Sequence, residues 1–268
     1  MKALILIGGE GTRLRPFTYD MPKCMMPVAN RPFMEYQLEL LKKHGIKEVI
    51  LSVCHMRAML KRALAQKKIY GIKIRFAAEK CPLGTGGAIR NCLRMLDAET
   101  VVLNGDILTD INISRMVREH RKRGAEATIA LHTVKDGRAY GSVKAGKNGA
   151  ITAFKEKDPS SRGKAEINAG IYIFNKTAVE LIPKGGPVSV EREVFPGLIR
   201  QGKKLMAHRT AFYWNDIGTI ESYKRANFDA ARGKVKAGEG KARAVLPRVN
   251  SARLKNPVVV GARCVIEK

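Results

Sequence analysis

A glycine-rich turn with nearby cations follows the first apolar run of the chain. Its sequence is Gly8-Gly9-Glu10-Gly11-Thr12-Arg13-Leu14, and Lys23 follows it. Glycines let backbone N–H groups approach phosphate oxygens closely, Arg13 can form two parallel hydrogen bonds to a phosphate, and Lys23 adds a point charge. The turn is not a Rossmann fingerprint, because Leu14 stands at the third glycine, and it is not a P-loop, because no Gly-Lys-Ser/Thr follows. It predicts a triphosphate site, with a tight turn and solvated arginines as the alternative.

Two aspartates are candidate ligands of a divalent metal ion. Asp106 follows an apolar run and a glycine, which predicts a position at the carboxyl end of a strand, where ligands of parallel sheets bind. Asp216 follows Trp214-Asn215 much later in the chain. Mg²⁺ prefers one or two carboxylates together with phosphate oxygens and water. The alternatives are a turn or cap role for Asp106, and for Asp216 the cap of a helix that begins near Thr219.

The sequence contains no arrangement typical of nucleophilic catalysis. Its five histidines show no HxH or HxxxH spacing, and no Ser-His-Asp order is present. The candidate chemistry therefore relies on alignment of reactants and neutralisation of charge. The stretch Lys155-Glu156-Lys157-Asp158 carries further charge, and by itself it indicates an exposed turn.

Composition limits the class of protein and its partners. The chain has 268 residues and a formal net charge of +26, which favours phosphate-bearing or other polyanionic partners over neutral ones. A solvated basic surface is the alternative. Its five cysteines form no CxxC or Cys/His cluster, so we expect reduced thiols in the cytoplasm, without disulfides or zinc. No run of about 18 apolar residues suggests a membrane span, and the N-terminus indicates a buried strand.

The first half of the chain alternates between apolar strands and helices. Pro32 and Gly45 bracket one predicted helix, as expected for a proline at the start and a glycine past the end. This alternation predicts an α/β fold with three layers, α/β/α, and a mostly parallel sheet. The loops after Ile7 and Leu103 should then face the site. The predicted strands are Lys2–Ile7, Glu48–Val53, Ile72–Ala77 and Thr100–Leu103, and the predicted helices are Phe33–His44, Met56–Ala65 and Gly86–Leu96.

The second half is mixed and ends in a basic tail. A main domain, residues 1–232, is expected to end where a Lys/Gly/Ala-rich linker begins. In the segment 233–268, Leu254, Val260 and Ile266 lie six residues apart, which indicates either a short β-helix stub or one ordinary strand, Pro257–Val260. The predicted strands are Ala127–Val134, Gly141–Lys144, Ile151–Phe154 and Ile167–Phe174, and the predicted helices are Val190–Gln201 and Ile220–Arg232.

The motifs together resemble the sugar-1-phosphate nucleotidylyltransferases. Gly8 to Pro32 matches the family signature GGxGTRLRPxTxxxPKxMxPVxxxP, although Ile7 and Cys24 stand where the family usually has Ala and Pro. The resemblance runs from Lys2 to about Asn227. The later motifs, in the family's order, are Leu83-Gly84-Thr85-Gly86-Gly87-Ala88, Asn104-Gly105-Asp106, Tyr140-Gly141, Glu156-Lys157, Asn168-Ala169-Gly170 and Trp214-Asn215-Asp216-Ile217-Gly218-Thr219.

This resemblance implies a Rossmann-like nucleotidyltransferase fold and a role for each motif. Arg13, Lys23 and Asp106 are the implied catalytic residues, and Asp106 and Asp216 are the implied Mg²⁺ ligands. The implied nucleotide-binding residues are Gly8, Gly9, Gly11, Thr12, Arg13, Lys23, Gly84, Thr85 and Gly86. The implied sugar-phosphate-binding residues are Tyr140, Gly141, Glu156, Lys157, Asn168 and Gly170.

The implied reaction joins a nucleoside triphosphate to a sugar 1-phosphate and releases pyrophosphate. Guanylyl transfer to mannose 1-phosphate is the first expectation, and thymidylyl or uridylyl transfer to glucose 1-phosphate is the second. A non-catalytic regulatory subunit is the alternative from another class. Nucleic acid is a less favoured partner, because the tail after Arg232 lacks aromatic residues for base stacking. An incomplete β-helix coil would leave an open edge, so residues after about Arg243 are expected to form a homo-oligomer interface.

Overall fold

A nine-stranded mixed sheet forms the centre of the computed structural model, which describes residues 1–65, 71–138, 140–155 and 163–236. The strands are β1 (Lys2–Ile7), β2 (Pro27–Val28), β3 (Arg31–Pro32), β4 (Glu48–Val53), β5 (Lys73–Ala78), β6 (Glu99–Asn104), β7 (Ile107–Thr109), β8 (Ala127–Val134), β9 (Ser142–Ala145), β10 (Ile151–Lys155), β11 (Ala165–Asn175), β12 (Leu205–Arg209) and β13 (Trp214–Asp216). The helices are α1 (Phe33–Lys43), α2 (Arg57–Ala65), α3 (Gly84–Asn91), α4 (Ile113–Arg123), α5 (Lys176–Glu180), α6 (Phe195–Arg200) and α7 (Ile220–Ala231).

The first half of the chain builds the parallel part of the sheet, in the order β6-β1-β4-β5. Ile5 of β1 lies opposite Leu103 of β6 and Leu51 of β4, and all three side chains are fully buried. Helices cover both faces of these strands, which explains why the strands are continuous apolar runs. The carboxyl ends of β1 and β6 therefore meet at one edge of the sheet.

The second half extends the sheet mainly through antiparallel strands. The long strand β11 pairs with β6 and β8, and near its start also with β9. Its pairing with β8 shifts register between Asn168 and Tyr172. Gly170 lies in this interruption with φ of +71°, a conformation that glycine adopts readily. The interruption turns the Asn168-Ala169-Gly170 motif out of the regular ladder.

Two hydrophobic clusters lie on opposite faces of the sheet. One face is covered by α1, α2, α4 and α7, and the other by α3, α5 and α6. On the second face Phe195 stacks on Phe174 with 5.8 Å between ring centroids, and on Phe154 with 5.3 Å. This is the three-layer α/β/α arrangement that the sequence predicts.

Two predicted helices differ by more than one residue from those observed. The helix predicted over Gly86–Leu96 is α3, which begins at Gly84 and ends at Asn91, with a separate 3₁₀ turn over Leu93–Met95. The helix predicted over Val190–Gln201 is divided into a π-helical turn, Val190–Val194, and α6. Pro196 explains this division, because proline lacks the N–H that an α-helical hydrogen bond requires.

Several elements had no counterpart in the sequence prediction. The longest is α4, whose signals were nonetheless present: the Asn112 side chain accepts a hydrogen bond from Arg115 N, and Gly124 ends the helix with φ of +56°. The small strands β7 and β13 were also missed. They pair antiparallel in a separate two-stranded sheet.

The C-terminal expectations lie outside the described residues. The last of the described helices, α7, ends at Ala231, close to the predicted domain limit at residue 232. The six-residue spacing of Leu254, Val260 and Ile266, and the expected oligomer interface after Arg243, concern residues beyond 236 and stay predictions. Among the described helices, none is long and apolar enough to cross a membrane.

Candidate active site

A cleft of about 490 Å³ opens at the carboxyl ends of β1 and β6. The loops after Ile7 and Leu103 both contribute to it, as the parallel arrangement predicts. The start of α3 forms another wall. The lining residues are Leu6, Ile7, Gly8, Gly9, Glu10, Gly11, Thr12, Arg13, Lys23, Cys24, Glu79, Pro82, Leu83, Gly84, Thr85, Ala88, Asn104, Gly105, Asp106 and Gly218.

The glycine-rich turn is held by a buried side chain and by hydrogen bonds, among them Leu14 N to Gly11 O at 2.9 Å. Gly11 has φ of +67° and precedes a 3₁₀ turn, Thr12–Leu14. Leu14 is fully buried, so the residue at the third-glycine position anchors the turn. Thr18 Oγ1 donates to Gly11 O at 2.8 Å. The turn therefore presents Thr12 and the exposed Arg13 to the cleft.

Asp106 lies in the turn between β6 and β7, beside Lys23. Lys23 Nζ donates to Asp106 Oδ2 at 2.8 Å. Gly105 positions this turn by close approach to β1: its N–H donates to Leu6 O at 2.9 Å, and a Cβ there would lie 2.5 Å from the same oxygen. Only glycine fits at this position without backbone movement.

The pairing of β7 with β13 brings Asp216 to Asp106. Asp216 is opposite Ile107 in this pair, and Ile217 N donates to Asp106 O at 2.9 Å. Burial raises the pKa of Asp216, and the charge of Asp106 raises it further. Tyr140 Oη donates to Asp216 Oδ1 at 3.3 Å. The interpretation of Asp216 as a helix cap is wrong, because Thr219 Oγ1 caps α7 by accepting from Ser222 N.

Arg13 and Asp216 meet at Gly218. A Cβ at Gly218 would lie 3.2 Å from Arg13 Nη2 and 3.3 Å from Asp216 Oδ2, so a side chain there would crowd both groups. The described residues contain no group of three or more His, Cys, Asp or Glu side chains able to hold a metal ion. A pair of carboxylates beside a cleft lined by Arg13 and Lys23 fits Mg²⁺, which keeps water and phosphate oxygens among its ligands.

A second wall continues from Asp216 toward β11. Trp214 Nε1 donates to Ala169 O at 2.8 Å, and the Tyr140 ring packs edge-on against Trp214 with 5.7 Å between centroids. Asn168 Nδ2 donates to Tyr172 Oη and to Glu191 Oε1, at 2.8 and 2.7 Å.

The predicted sugar-phosphate residues are only partly described. Asn168 Oδ1 accepts from Gly170 N at 2.9 Å, which fixes the motif between them. Gly141 follows Tyr140 and is half-buried. Glu156 and Lys157 lie outside the described residues, so their roles stay predictions.

Only two of the three predicted nucleotide-binding residues at the start of α3 line the cleft. Gly84, with φ of +66°, and Thr85 line the cleft, whereas Gly86 lies behind them. Gly86 N donates to Val188 O at 2.8 Å, and a Cβ there would lie 2.8 Å from Val194 Cγ2. In this structure Gly86 permits close packing of the helix and does not line the cleft.

Sequence reasoning missed Glu79, a buried carboxylate in the cleft. Glu79 is 8% exposed, and its Oε1 accepts from Ser52 Oγ at 2.8 Å. Its Oε2 accepts a longer bond from Leu83 N, at 3.3 Å. A position directly after β5 was the available signal, since the carboxyl ends of parallel strands face the site. Cys24 also lines the cleft, but burial raises the pKa of its thiol to about 12, so it is a poor nucleophile.

Comparison with known proteins places this geometry in a family. Residues 2–233 match the family model described as "Nucleotidyl transferase". The chain is 39% identical over 235 residues to a mannose-1-phosphate guanylyltransferase from Mycobacterium tuberculosis, covering 86% of this chain and 65% of that protein. It is 34% identical over 241 residues to a UTP–glucose-1-phosphate uridylyltransferase from Synechocystis, covering 84% of this chain and 62% of that protein. This chain thus spans less than two thirds of the length of these curated relatives.

A solved structure agrees with the same fold. HddC from Yersinia pseudotuberculosis, complexed with GMP-PN, superposes with a TM-score of 0.73 at 29% sequence identity. The match covers 84% of this chain and 97% of that one.

Proposed function

The chain belongs to the nucleotidyl transferase family, and we propose that it transfers a nucleotidyl group from a nucleoside triphosphate to a sugar 1-phosphate, releasing pyrophosphate. One observation carries the proposal: Arg13, Lys23, Asp106 and Asp216 converge beside the glycine-rich turn. The rival role is that of a non-catalytic regulatory subunit, which would not require these four side chains to lie close together in one site.

The protein's own groups align the reactants and neutralise charge. An oxygen of the sugar phosphate attacks the α-phosphorus of the triphosphate in line with the departing pyrophosphate. Backbone N–H groups of Gly8–Gly11 bind the triphosphate, and Arg13 stabilises the charge on the leaving pyrophosphate. Lys23 has three donors, so it can keep its bond to Asp106 while donating to a phosphate oxygen.

Two carboxylates and the sugar-side wall complete the arrangement. Asp106 and Asp216 would hold Mg²⁺, which when bound neutralises charge on the reacting phosphates. Tyr140 keeps Asp216 oriented through its hydroxyl. Asn168 and Gly170 are proposed to bind the sugar, and Lys157 to hold the attacking phosphate.

Guanine is the proposed base, and the chemistry of Glu79 supports it. A carboxylate such as Glu79 only accepts hydrogen bonds, and guanine presents two adjacent donors, N1–H and the N2 amino group. Uracil and thymine present one donor between two carbonyl oxygens, which the carboxylate would repel. The 39% identity to a mannose-1-phosphate guanylyltransferase and the GMP-PN complex of HddC support the same choice. Mannose 1-phosphate is therefore the proposed acceptor.

Uridylyl or thymidylyl transfer to glucose 1-phosphate is the second candidate. The uridylyltransferase from Synechocystis favours it, since its identity to this chain is only slightly lower. The two candidate functions differ in the base that would have to bind beside Glu79.

The test is a matrix of GTP, ATP, UTP and dTTP against several sugar 1-phosphates, read as pyrophosphate release. We expect the fastest release with GTP and mannose 1-phosphate, and none in the presence of a chelator. Asp106→Asn should lower the release, and Asp97→Asn is its matched control. Asp97→Asn removes the same charge near the start of β6, at the opposite end of the strand from Asp106. Absence of release from every pair, by a folded protein that binds triphosphate, would overturn the proposal.

A further inference from the structure

A second depression, of about 530 Å³, lies between α3 and the segment that follows α5. It is bounded by the end of α3 and by the Pro183–Gly186 segment that follows α5. It shares only Leu83 with the nucleotide cleft. The lining residues are Leu83, Gly87, Arg90, Asn91, Leu93, Arg94, Pro183, Lys184, Gly185 and Gly186.

Three cations line this depression, and the lining residues that the structure describes include no acid. Its described lining contains Arg90, Arg94 and Lys184 but no carboxylate. Within the described part of the chain, Arg94 and Lys184 have no hydrogen bond or ion pair, and Arg90 donates one bond, to Val179 O at 3.3 Å. Elsewhere exposed arginines do pair with acids, as Arg121 does with Glu99 at 2.6 Å. Like charges around one concavity repel, and a bound anion would relieve that repulsion.

The Pro183–Gly186 segment adds backbone donors to the cations. Gly185 has φ of +94°, and a Cβ at Gly185 or Gly186 would contact no atom within 4 Å. The N–H groups of these two glycines donate no hydrogen bond within the described residues. Successive unbonded N–H groups beside cations are the donors that anions use in proteins.

We propose that this depression, the α3 anion site (Arg90, Arg94, Lys184, Gly185 and Gly186), binds a phosphate-bearing small molecule distinct from the substrates of the cleft. Arg90 and Arg94 bind the phosphate through their guanidinium groups, which match its oxygens in pairs. Lys184 adds a third charge. The inference goes beyond the proposed function, because no group of the α3 anion site belongs to the reaction.

The α3 anion site and the nucleotide cleft are connected through the start of α3, which packs against the segment Gly186–Val188. Gly87 approaches Gly186 so closely that a Cβ on Gly87 would lie 2.9 Å from Gly186 O. Val188 N donates to Leu83 O at 2.8 Å. An anion that holds Gly185-Gly186 thus acts on the segment that fixes the start of α3 and, with it, Gly84.

The test is titration calorimetry of the full chain with inorganic phosphate at low salt. We expect two classes of phosphate site in the wild-type chain. Arg94→Ala/Lys184→Ala should weaken one class by about tenfold or more, since each lost charge-assisted hydrogen bond corresponds to roughly a tenfold change in dissociation constant. Arg13→Ala should weaken the other class, in the cleft. Arg94→Lys/Lys184→Arg keeps the charges and should retain binding.

The matched control is Arg118→Ala/Lys122→Ala, which removes two exposed cations from α4. Unchanged phosphate binding by Arg94→Ala/Lys184→Ala, or equal weakening by the control, would overturn the α3 anion site. Thermal melting of each variant verifies the fold. The titration requires no turnover, so a failure of the proposed function would appear separately, as absent pyrophosphate release in every variant.

Discussion

Replacing Glu79 by Gln tests how the cleft selects its base. The substitution keeps the size of the side chain and an oxygen that can accept from Ser52 Oγ, as Glu79 Oε1 does at 2.8 Å. It replaces Oε2, which accepts the longer bond from Leu83 N at 3.3 Å, by an amide NH2 that donates, so that bond is lost as well. One acceptor for guanine is lost, and a donor for a carbonyl of uracil or thymine is gained.

The expected magnitude follows from the burial of this carboxylate. Glu79 is 8% exposed, so water cannot replace a lost hydrogen bond to the base. A hydrogen bond to a charged group is worth about 1.5–3 kcal/mol. Since each ~1.4 kcal/mol is a factor of ten in rate, kcat/KM for GTP should fall roughly 10- to 150-fold. The value for UTP should rise, because repulsion between the carboxylate and the uracil carbonyl oxygens is removed.

The assay measures kcat/KM for GTP and for UTP as pyrophosphate release, with mannose 1-phosphate saturating. Glu10→Gln is the control, because Glu10 also lines the cleft but is exposed and pairs with Arg15. The control should leave the GTP to UTP ratio unchanged. If Glu79→Gln leaves that ratio unchanged while the variant remains folded, Glu79 does not read the base.

Further predictions concern the proposed metal ligands, the turn and the two proposed half-sites. Asp106→Asn should lower turnover by at least about a hundredfold at unchanged melting temperature, since it removes a carboxylate used for charge stabilisation; near-normal turnover would refute its role. Burial and Asp106 raise the pKa of Asp216 above its ordinary 3.8, so the ionised carboxylate lowers stability at neutral pH. Asp216→Asn should therefore raise the melting temperature at pH 7 in the presence of a chelator. This gain should disappear as the pH falls below the ordinary pKa, where Asp216 is protonated in both the folded and the unfolded chain. A pH-independent gain would contradict that cause. Gly105→Ala should lower the free energy of unfolding in urea by about 1–3 kcal/mol, because its Cβ would meet Leu6 O; an unchanged midpoint would refute the close approach. Arg13→Ala should weaken triphosphate binding and Lys157→Ala sugar-phosphate binding in separate titrations; loss of triphosphate binding alone in Lys157→Ala would reverse the assignment.

Local sequence was sufficient for the strands of the parallel half and for the glycine-rich turn. Lys2–Ile7 and Glu48–Val53 are strands within the predicted limits, because strands buried on both faces must be apolar throughout. The turn at Gly8–Gly11 and the edge location of Asp106 follow from residues adjacent in the chain. These features depend on neighbours a few positions away, which a sequence displays directly.

The convergence of Asp106 with Asp216 was decided by tertiary structure. It depends on β7 and β13, strands of three residues each that are too short to show a period. The motif resemblance implied a metal pair, but only their antiparallel pairing brings together carboxylates that lie far apart in the chain.

Glu79 and the α3 anion site were likewise determined by the folded chain. Glu79 reaches the cleft because Ser52 and Leu83, from separate segments, fix its carboxylate. The cations of the α3 anion site come from α3, the turn after it, and the segment after α5. Periodicity and composition describe each segment alone, whereas a site depends on the distances between segments. Those distances are set by the packing of the two helical layers on the sheet.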